Sequence, residues 1–120
     1  MNSDSKAVLR YRDGRTERVD LAPIDHSRQV FTVTHEDGTT GEIPYTELKA
    51  VFFPHKEGVP PEPAEGSTIA VEFSDGEVIR GLAHYNPERN GFFLFPLDRS
   101  KNDRVFVVNS AIASIEVERL

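Results

Sequence analysis

Apolar and polar residues alternate with a period of two along much of the chain. Near its beginning, Leu9 and Tyr11 fall on one side of an extended segment, and Arg10 and Arg12 fall on the other. This alternation is typical of a β-strand with one buried face. The apolar spacing of a long helix does not occur, and only short segments before the last strand of each half fit one helical turn. The pattern predicts an all-β protein.

Asp-Gly pairs lie between alternating segments at positions 13, 37 and 75. Glycine in such a pair supplies the positive φ that a tight hairpin turn requires, so we expect three hairpins. Ten strands are expected in all, at residues 6–12, 15–22, 29–35, 41–46, 50–53, 68–74, 77–85, 91–96, 104–109 and 113–118.

The two halves of the chain repeat one pattern. Placing Asp13-Gly14 on Asp75-Gly76, an offset of 62 residues, brings the apolar positions of the two halves into register. We therefore expect a disordered tail at residues 1–5, one unit at 6–56 and a second unit at 68–120. An isolated open sheet of this size would leave exposed edges, so we expect each unit to close into a small barrel.

Residues 57–67 separate the two units. They contain three of the eight prolines, and Val59 is their only large apolar residue. This composition predicts a stiff, extended linker.

A family resemblance rests on the apolar strands and turns of the second unit, at residues 71–82, 85–87, 92–95 and 105–115. They resemble the five-stranded barrels of the Sm-like and SH3-like type. Together with Lys49-Ala50-Val51-Phe52-Phe53 they also resemble an uncharacterised bacterial domain family with no assigned activity. The resemblance implies two tandem five-stranded antiparallel barrels, with Gly81 at the bend of a long second strand.

Composition narrows the classes of function. The chain has no cysteine, which excludes disulfides and thiolate metal sites. No apolar run approaches the length of a membrane span and no signal peptide is visible, so we expect no membrane contact and a cytoplasmic location. A net charge of -6 argues against general nucleic-acid binding.

Two nucleotide-binding patterns are partly present. Sm-like barrels that bind RNA use a loop in which Asn86 and Asn90 would lie, but Asn109-Ser110 stands where their second motif has arginine-glycine. The cyclic-dinucleotide turn of PilZ barrels is matched at Asp25 and Ser27, but Val30 replaces its glycine. The alternative is that the asparagines are turn residues chosen for backbone shape.

Basic residues concentrate on the first predicted hairpin, where Arg10, Arg12 and Arg15 could bind an anionic ligand. A solvated strand face that pairs with nearby carboxylates is the alternative. The histidines at 26, 35, 55 and 84 are too scattered to indicate a metal site and are expected at surface turns. The serines lack the context of a nucleophile, so we expect no catalytic residue and no cofactor.

The predicted strand register places one set of side chains inside the barrels: Leu9, Tyr11, Phe31, Val33, Ile43, Val51, Val71, Phe73, Phe93, Phe95, Val105, Val107 and Ile115. The neighbours Phe92, Leu94, Phe106 and Val108 would then face outward, and four large apolar side chains need a cover. Either the first barrel or another chain supplies it, and a homodimer through the second barrel is the simplest form of the latter. A bulge near Gly91 that turns these residues inward is the alternative.

We therefore expect a non-catalytic protein-interaction or scaffolding module with Phe92, Leu94, Phe106 and Val108 as its partner interface. The alternative is a module that binds RNA or a cyclic dinucleotide through Arg10, Arg12, Arg15, Asn86 and Asn90.

Overall fold

The computed structural model describes residues 5–24, 27–55, 65–99 and 101–118. Over these residues it contains the strands β1 (Ser5–Tyr11), β2 (Thr16–Leu21), β3 (Val30–His35), β4 (Thr40–Pro44), β5 (Leu48–Pro54), β6 (Ser67–Phe73), β7 (Val78–Ala83), β8 (Gly91–Pro96), β9 (Asn102–Val108) and β10 (Ile112–Val117). Short 3₁₀ turns at Tyr45–Glu47 and Asn109–Ala111 precede β5 and β10. The predicted strands are confirmed, with ends that differ by no more than two residues.

The three predicted hairpins are present and share one turn geometry. Gly14, Gly38 and Gly76 have φ values of 96°, 90° and 92°. In each turn the aspartate before the glycine accepts a hydrogen bond from the N–H two residues further on, at 2.9–3.0 Å. The aspartate side chain and the left-handed glycine together fix each turn.

The strands form one antiparallel sheet, in the order β10-β6-β7-β8-β9-β5-β1-β2-β3-β4. The prediction of two separate closed barrels is therefore replaced by a single open sheet, whose ends among the described residues are β10 and β4. Each half keeps the same internal order, with its fifth strand beside its first. The halves join because β5 pairs with β9, and this pairing removes two of the edges that closure was expected to remove.

The predicted tail and linker fall mostly outside the described residues. Ser5 already begins β1, and residues 1–4 are not described. Residues 57–64 of the predicted linker are also not described, whereas Ser67 begins β6.

The two joined strands are buried on both faces. In β5 every residue except Pro54 is buried, and in β9 the last four residues are buried. Directly paired residues share a face, so the ladders define one row on each side of the sheet: Phe93-Phe106-Val51-Leu9 on one face and Leu94-Val105-Phe52-Val8 on the other.

Phe106 belongs to the core of the first half. Its ring lies edge-on to Phe31 and Tyr45, with centroids at 5.7 and 6.1 Å. Phe31 in turn stacks on Tyr45 at 4.1 Å. A side chain from β9 thus completes an aromatic cluster whose other members come from β3 and the first 3₁₀ turn.

The predicted register of β8 is wrong by one residue. Phe92 and Leu94 are buried, and their direct partners are Val107 and Val105. Phe93 is only partly buried, and Phe95 is likewise half-buried. The ladder between β8 and β9 has no bulge at Gly91. Instead, a Cβ there would lie 2.3 Å from the Val107 carbonyl oxygen, so the close approach of β9 requires glycine.

The register of β9 is as predicted, and its outward residues Phe106 and Val108 are nevertheless buried. Of the other residues expected inside, Ile43 and Ile115 are partly buried against the core and the rest are buried. The first half of the same chain therefore covers the apolar face of β9 that contains Phe106 and Val108, and no second chain is needed for this.

Phe106→Ala should lower the free energy of unfolding by about 3–5 kcal/mol, because it empties a fully buried site shared by both halves. Equilibrium urea denaturation of the full chain measures this change. Leu97→Ala is the control, since Leu97 is 64% exposed and should change stability by no more than about 0.5 kcal/mol. Equal midpoints for the two variants would contradict the placement of Phe106.

Candidate functional site

A buried ammonium group lies where the two halves meet. Lys49 on β5 donates hydrogen bonds to Asp75 Oδ2 at 2.8 Å and to Glu77 Oε1 at 2.5 Å. Its side chain is only 9% exposed, and Nζ lies 4.8 Å from the centre of the Phe73 ring. Glu77 also accepts a hydrogen bond from Arg10 at 3.1 Å. The cluster ties β1 and β5 to the β6–β7 hairpin.

The charges in this cluster support one another. Burial lowers the pKa of Lys49, but hydrogen bonds from its ammonium to Asp75 and Glu77 outweigh burial and hold the pKa above 10.5. The hydrogen bond from Lys49, followed by that from the Glu77 N–H, lowers the pKa of Asp75 below 3.8. Lys49 and Asp75 are therefore both charged at neutral pH, and with Glu77 and Arg10 they form a structural ion pair network.

The three arginines of the first hairpin are engaged within the chain. Arg10 binds Glu77 and lies 4.2 Å from the centre of the Phe52 ring. Arg12 donates to the carbonyl oxygens of Leu48 and Tyr45 and to Ser110 Oγ, at 3.0, 3.3 and 2.5 Å. Arg15 binds Asp13 at 2.7 Å. An anionic ligand would compete with these contacts.

The asparagines organise the turn before β8. Asn109 Nδ2 donates to the carbonyl oxygens of Asn86 and Arg89, at 2.9 and 2.7 Å. The Asn109 N–H donates to the Asn90 carbonyl oxygen at 2.9 Å. Asn86 Oδ1 accepts from the Glu88 N–H at 3.0 Å. These contacts agree with the interpretation of Asn86 and Asn90 as turn residues.

A concavity of about 460 Å³ lies beside this turn. Side chains from both halves line it, among them Gln29, Thr46, Tyr85, Arg89 and Asn90. It is open to solvent, and among the described residues that line it only Arg89 carries a formal charge. The concavity is therefore a crevice between the two halves.

Two of the histidines bind carboxylates rather than lying free at surface turns. His35 Nδ1 is 2.7 Å from Glu17 Oε2, and Tyr11 donates to the other oxygen of Glu17 at 2.9 Å. Burial and then this hydrogen bond raise the pKa of Tyr11 to about 12. His55 Nδ1 is 2.7 Å from Asp103 Oδ1 on β9.

His35 and His55 also line a groove of about 730 Å³, together with Lys6, Arg18 and Asp20. Charges of both signs line this groove, so it favours no class of ligand. Over the part of the chain that is described, no three residues of metal-binding type come together. His84 is exposed, and His26 and Asp25 lie outside the described residues.

A comparison of β10 with β5 reveals an open edge, once the two halves are aligned at their 3₁₀ turns. Ile115 and Val117 then occupy the places of Val51 and Phe53 on β5. Val51 and Phe53 are buried by β9, whereas Ile115 is only partly buried and Val117 is 53% exposed. Among the described residues no strand pairs with the outer side of β10.

The backbone of β10 is also open at these residues. The Glu118 N–H donates to the Thr68 carbonyl oxygen at 2.8 Å, beyond the pair Val117↔Ile69. Hydrogen-bonded and non-hydrogen-bonded pairs alternate along an antiparallel ladder. Ile115 and Val117 therefore direct their N–H and C=O groups away from β6, toward the open edge.

A comparison with family models matches residues 3–119, nearly the whole chain, to a family of unknown function, DUF6982. The chain belongs to the DUF6982 family. No curated protein and no solved structure matches the chain. DUF6982 membership agrees with the expected resemblance to an uncharacterised family, and the Sm-like and SH3-like identity stays a prediction. In the described segments of this DUF6982 member, no helix has the length and apolar character needed to cross a membrane.

The structure thus places the predicted interface residues of this DUF6982 member in its interior. Phe92, Leu94, Phe106 and Val108 are all at most 5% exposed. The β10 edge was not predicted from the sequence, although the repeat contains a signal for it. Ile115 and Val117 align with buried β5 positions and stay apolar, although no strand among the described residues pairs with this edge of β10.

Lys49→Met should flatten the pH dependence of stability in acid. The folded pKa of Asp75 is depressed, so its contribution is present above pH 3.8 and is lost as pH falls below that value. Removing the ammonium raises this pKa back toward 3.8, and the loss becomes smaller. Urea midpoints between about pH 5 and pH 2 measure the slope.

Lys6→Met is the matched control, because Lys6 is 83% exposed and lies 3.9 Å from Asp20. It should leave the slope unchanged. Asp13 and Asp37 also have lowered pKa values, so some slope remains in every variant. A wild-type slope in Lys49→Met would show that the ammonium does not control Asp75.

Proposed function

We propose that this chain is a non-catalytic protein-interaction module that binds an extended segment of a partner as an added strand on β10. The observation that supports this most is the outer edge of β10, which no described strand covers. Its apolar residues Ile115 and Val117 are partly exposed, whereas their equivalents on β5 are buried. An open edge offers unpaired N–H and C=O groups and accepts a strand readily.

The pairing of β5 with β9 shows how a partner strand would bind along β10. It runs from Ala50↔Val107 to Pro54↔Asn102 and buries apolar side chains on both faces. A strand placed on β10 in the same way would cover Ile115 and Val117. Main-chain hydrogen bonds would supply affinity and the alternate side chains would supply selectivity.

The opposite end of the sheet is less suited to this role. β4 is five residues long, contains Gly41 and ends at Pro44. Thr40 and Glu42 are exposed on it. Short strands with proline and charged side chains are typical of protected edges. The binding edge is therefore β10.

Nucleotide binding has less support. Arg10, Arg12 and Arg15 already bind carboxylates or carbonyl oxygens of the chain. Asn86 and Asn90 serve the turn before β8. The net charge of -6 also opposes association with a phosphate backbone.

Val117→Pro should weaken binding of an added strand by about tenfold or more, because proline removes one donor and its ring obstructs the edge. The probe is a fluorescein-labelled peptide with the β9 sequence, residues 101–109, measured by anisotropy against the full chain. Val117→Thr is the control, since threonine keeps the β-branched shape and the N–H. Proline is tolerated on an edge strand, and thermal unfolding checks that both variants fold.

Wild type and Val117→Thr should bind the peptide with similar Kd values. Equal binding to the proline variant would place the peptide elsewhere, and absence of binding to wild type would contradict the proposed function.

A further inference from the structure

We infer that Glu42 prevents the chain from pairing with a second copy of itself, so that the strand accepted by β10 is a foreign one with a large apolar side chain opposite Ile115. This inference rests on the proposed function, because it concerns which strand the β10 edge selects. It assigns a specificity role to a residue on the opposite edge of the sheet.

The internal repeat makes self-pairing the first alternative to consider. The joint between the halves is heterologous, since the fifth strand of one half meets the fourth strand of the other. Repeating it would place β4 of a second copy on β10 of the first. Such contacts continue into rings or filaments unless something opposes them.

The central residue pair of this hypothetical joint differs from the central pair of the internal joint. In the internal joint Val51 pairs directly with Phe106, and both are fully buried. In the alignment at the 3₁₀ turns, Ile115 is equivalent to Val51 and Glu42 is equivalent to Phe106. A second copy would therefore bring a carboxylate directly opposite Ile115, on the face that Ile115 turns toward the core.

Glu42 is well solvated in the single chain. It is exposed and binds Arg28. Self-pairing would move its carboxylate against an apolar side chain, and burying a charge away from water and its partner is strongly unfavourable. An aromatic or aliphatic side chain at the same position would instead be covered as Phe106 is.

The charged residues away from the centre of the joint do not prevent self-pairing. Arg10 binds Glu77 across the internal joint. In the hypothetical joint, Glu72 of one copy takes the place of Arg10, and Arg15 of the second copy takes the place of Glu77. The positive and negative residues are exchanged, so the two copies would still attract each other at this point. Discrimination against self-pairing therefore falls to Glu42, at the centre of the edge.

Two peptides test the selectivity of β10. One has the sequence of residues 101–109, and the other is the same peptide with Phe106→Glu, which reproduces the central residue of β4. Anisotropy with the full chain should show at least about tenfold weaker binding for the glutamate peptide. Equal binding of both would overturn the inference while leaving the proposed function intact. Binding of neither would contradict the proposed function itself.

A second experiment uses the intact chain. Sedimentation velocity should show that wild type stays monomeric, whereas Glu42→Phe forms concentration-dependent oligomers. Adding Val117→Pro to Glu42→Phe should restore the monomer, because oligomers of this kind need the β10 edge. Circular dichroism and thermal unfolding verify that each variant is folded.

Thr32→Phe is the matched control. Thr32 is the direct partner of Glu42 on β3 and is also exposed, so the variant adds the same ring to the same face, one strand in from the edge. It should remain monomeric. Head-to-tail oligomers of wild type, a monomeric Glu42→Phe, or equal association of Thr32→Phe would each overturn the role of Glu42.

Discussion

The pairing of β5 with β9 is the interaction on which the rest of the structure depends. It turns two five-stranded halves into one sheet and buries both faces of the strands that meet. Side chains of one half therefore pack in the core of the other. Phe106 lies on β9 in the second half and completes the aromatic cluster around Phe31 in the first half. Because the two cores share strands, neither half has a complete interior alone.

The same joint determines where polar groups are placed. Lys49 lies on a strand that is otherwise apolar, and its ammonium is satisfied only because Asp75 and Glu77 of the other half reach it. A buried ammonium without those carboxylates would be strongly destabilising. The ion pair network thus makes the relative position of the halves specific, while the apolar contacts supply most of the stability.

Local features of the fold could be predicted from sequence, and features that depend on distant partners could not. The Asp13-Gly14 turn and its two counterparts each depend on only a few neighbouring residues. Their hairpins were therefore predictable from the sequence, and the structure confirms them. The face of β8 was not predictable by alternation, because Phe92 to Phe95 are all apolar and either register is equally consistent with them. An apolar run of this kind indicates burial on both faces, but it does not identify the strand that provides the cover.

The candidate site was missed for a related physical reason. Periodicity describes what a strand buries on its faces, whereas a binding edge is defined by the partner that a strand lacks. That absence becomes visible only when β10 is compared with β5, its equivalent in the repeat. The halves share a strand order but differ where a further joint would form: Glu42 stands in place of Phe106, and Ala113 in place of Lys49. The groups that hold the two halves together, Phe106 and Lys49, are thus missing from the outer edges, which explains how the described sheet can be firmly joined at its centre and still end in the unpaired β10 edge.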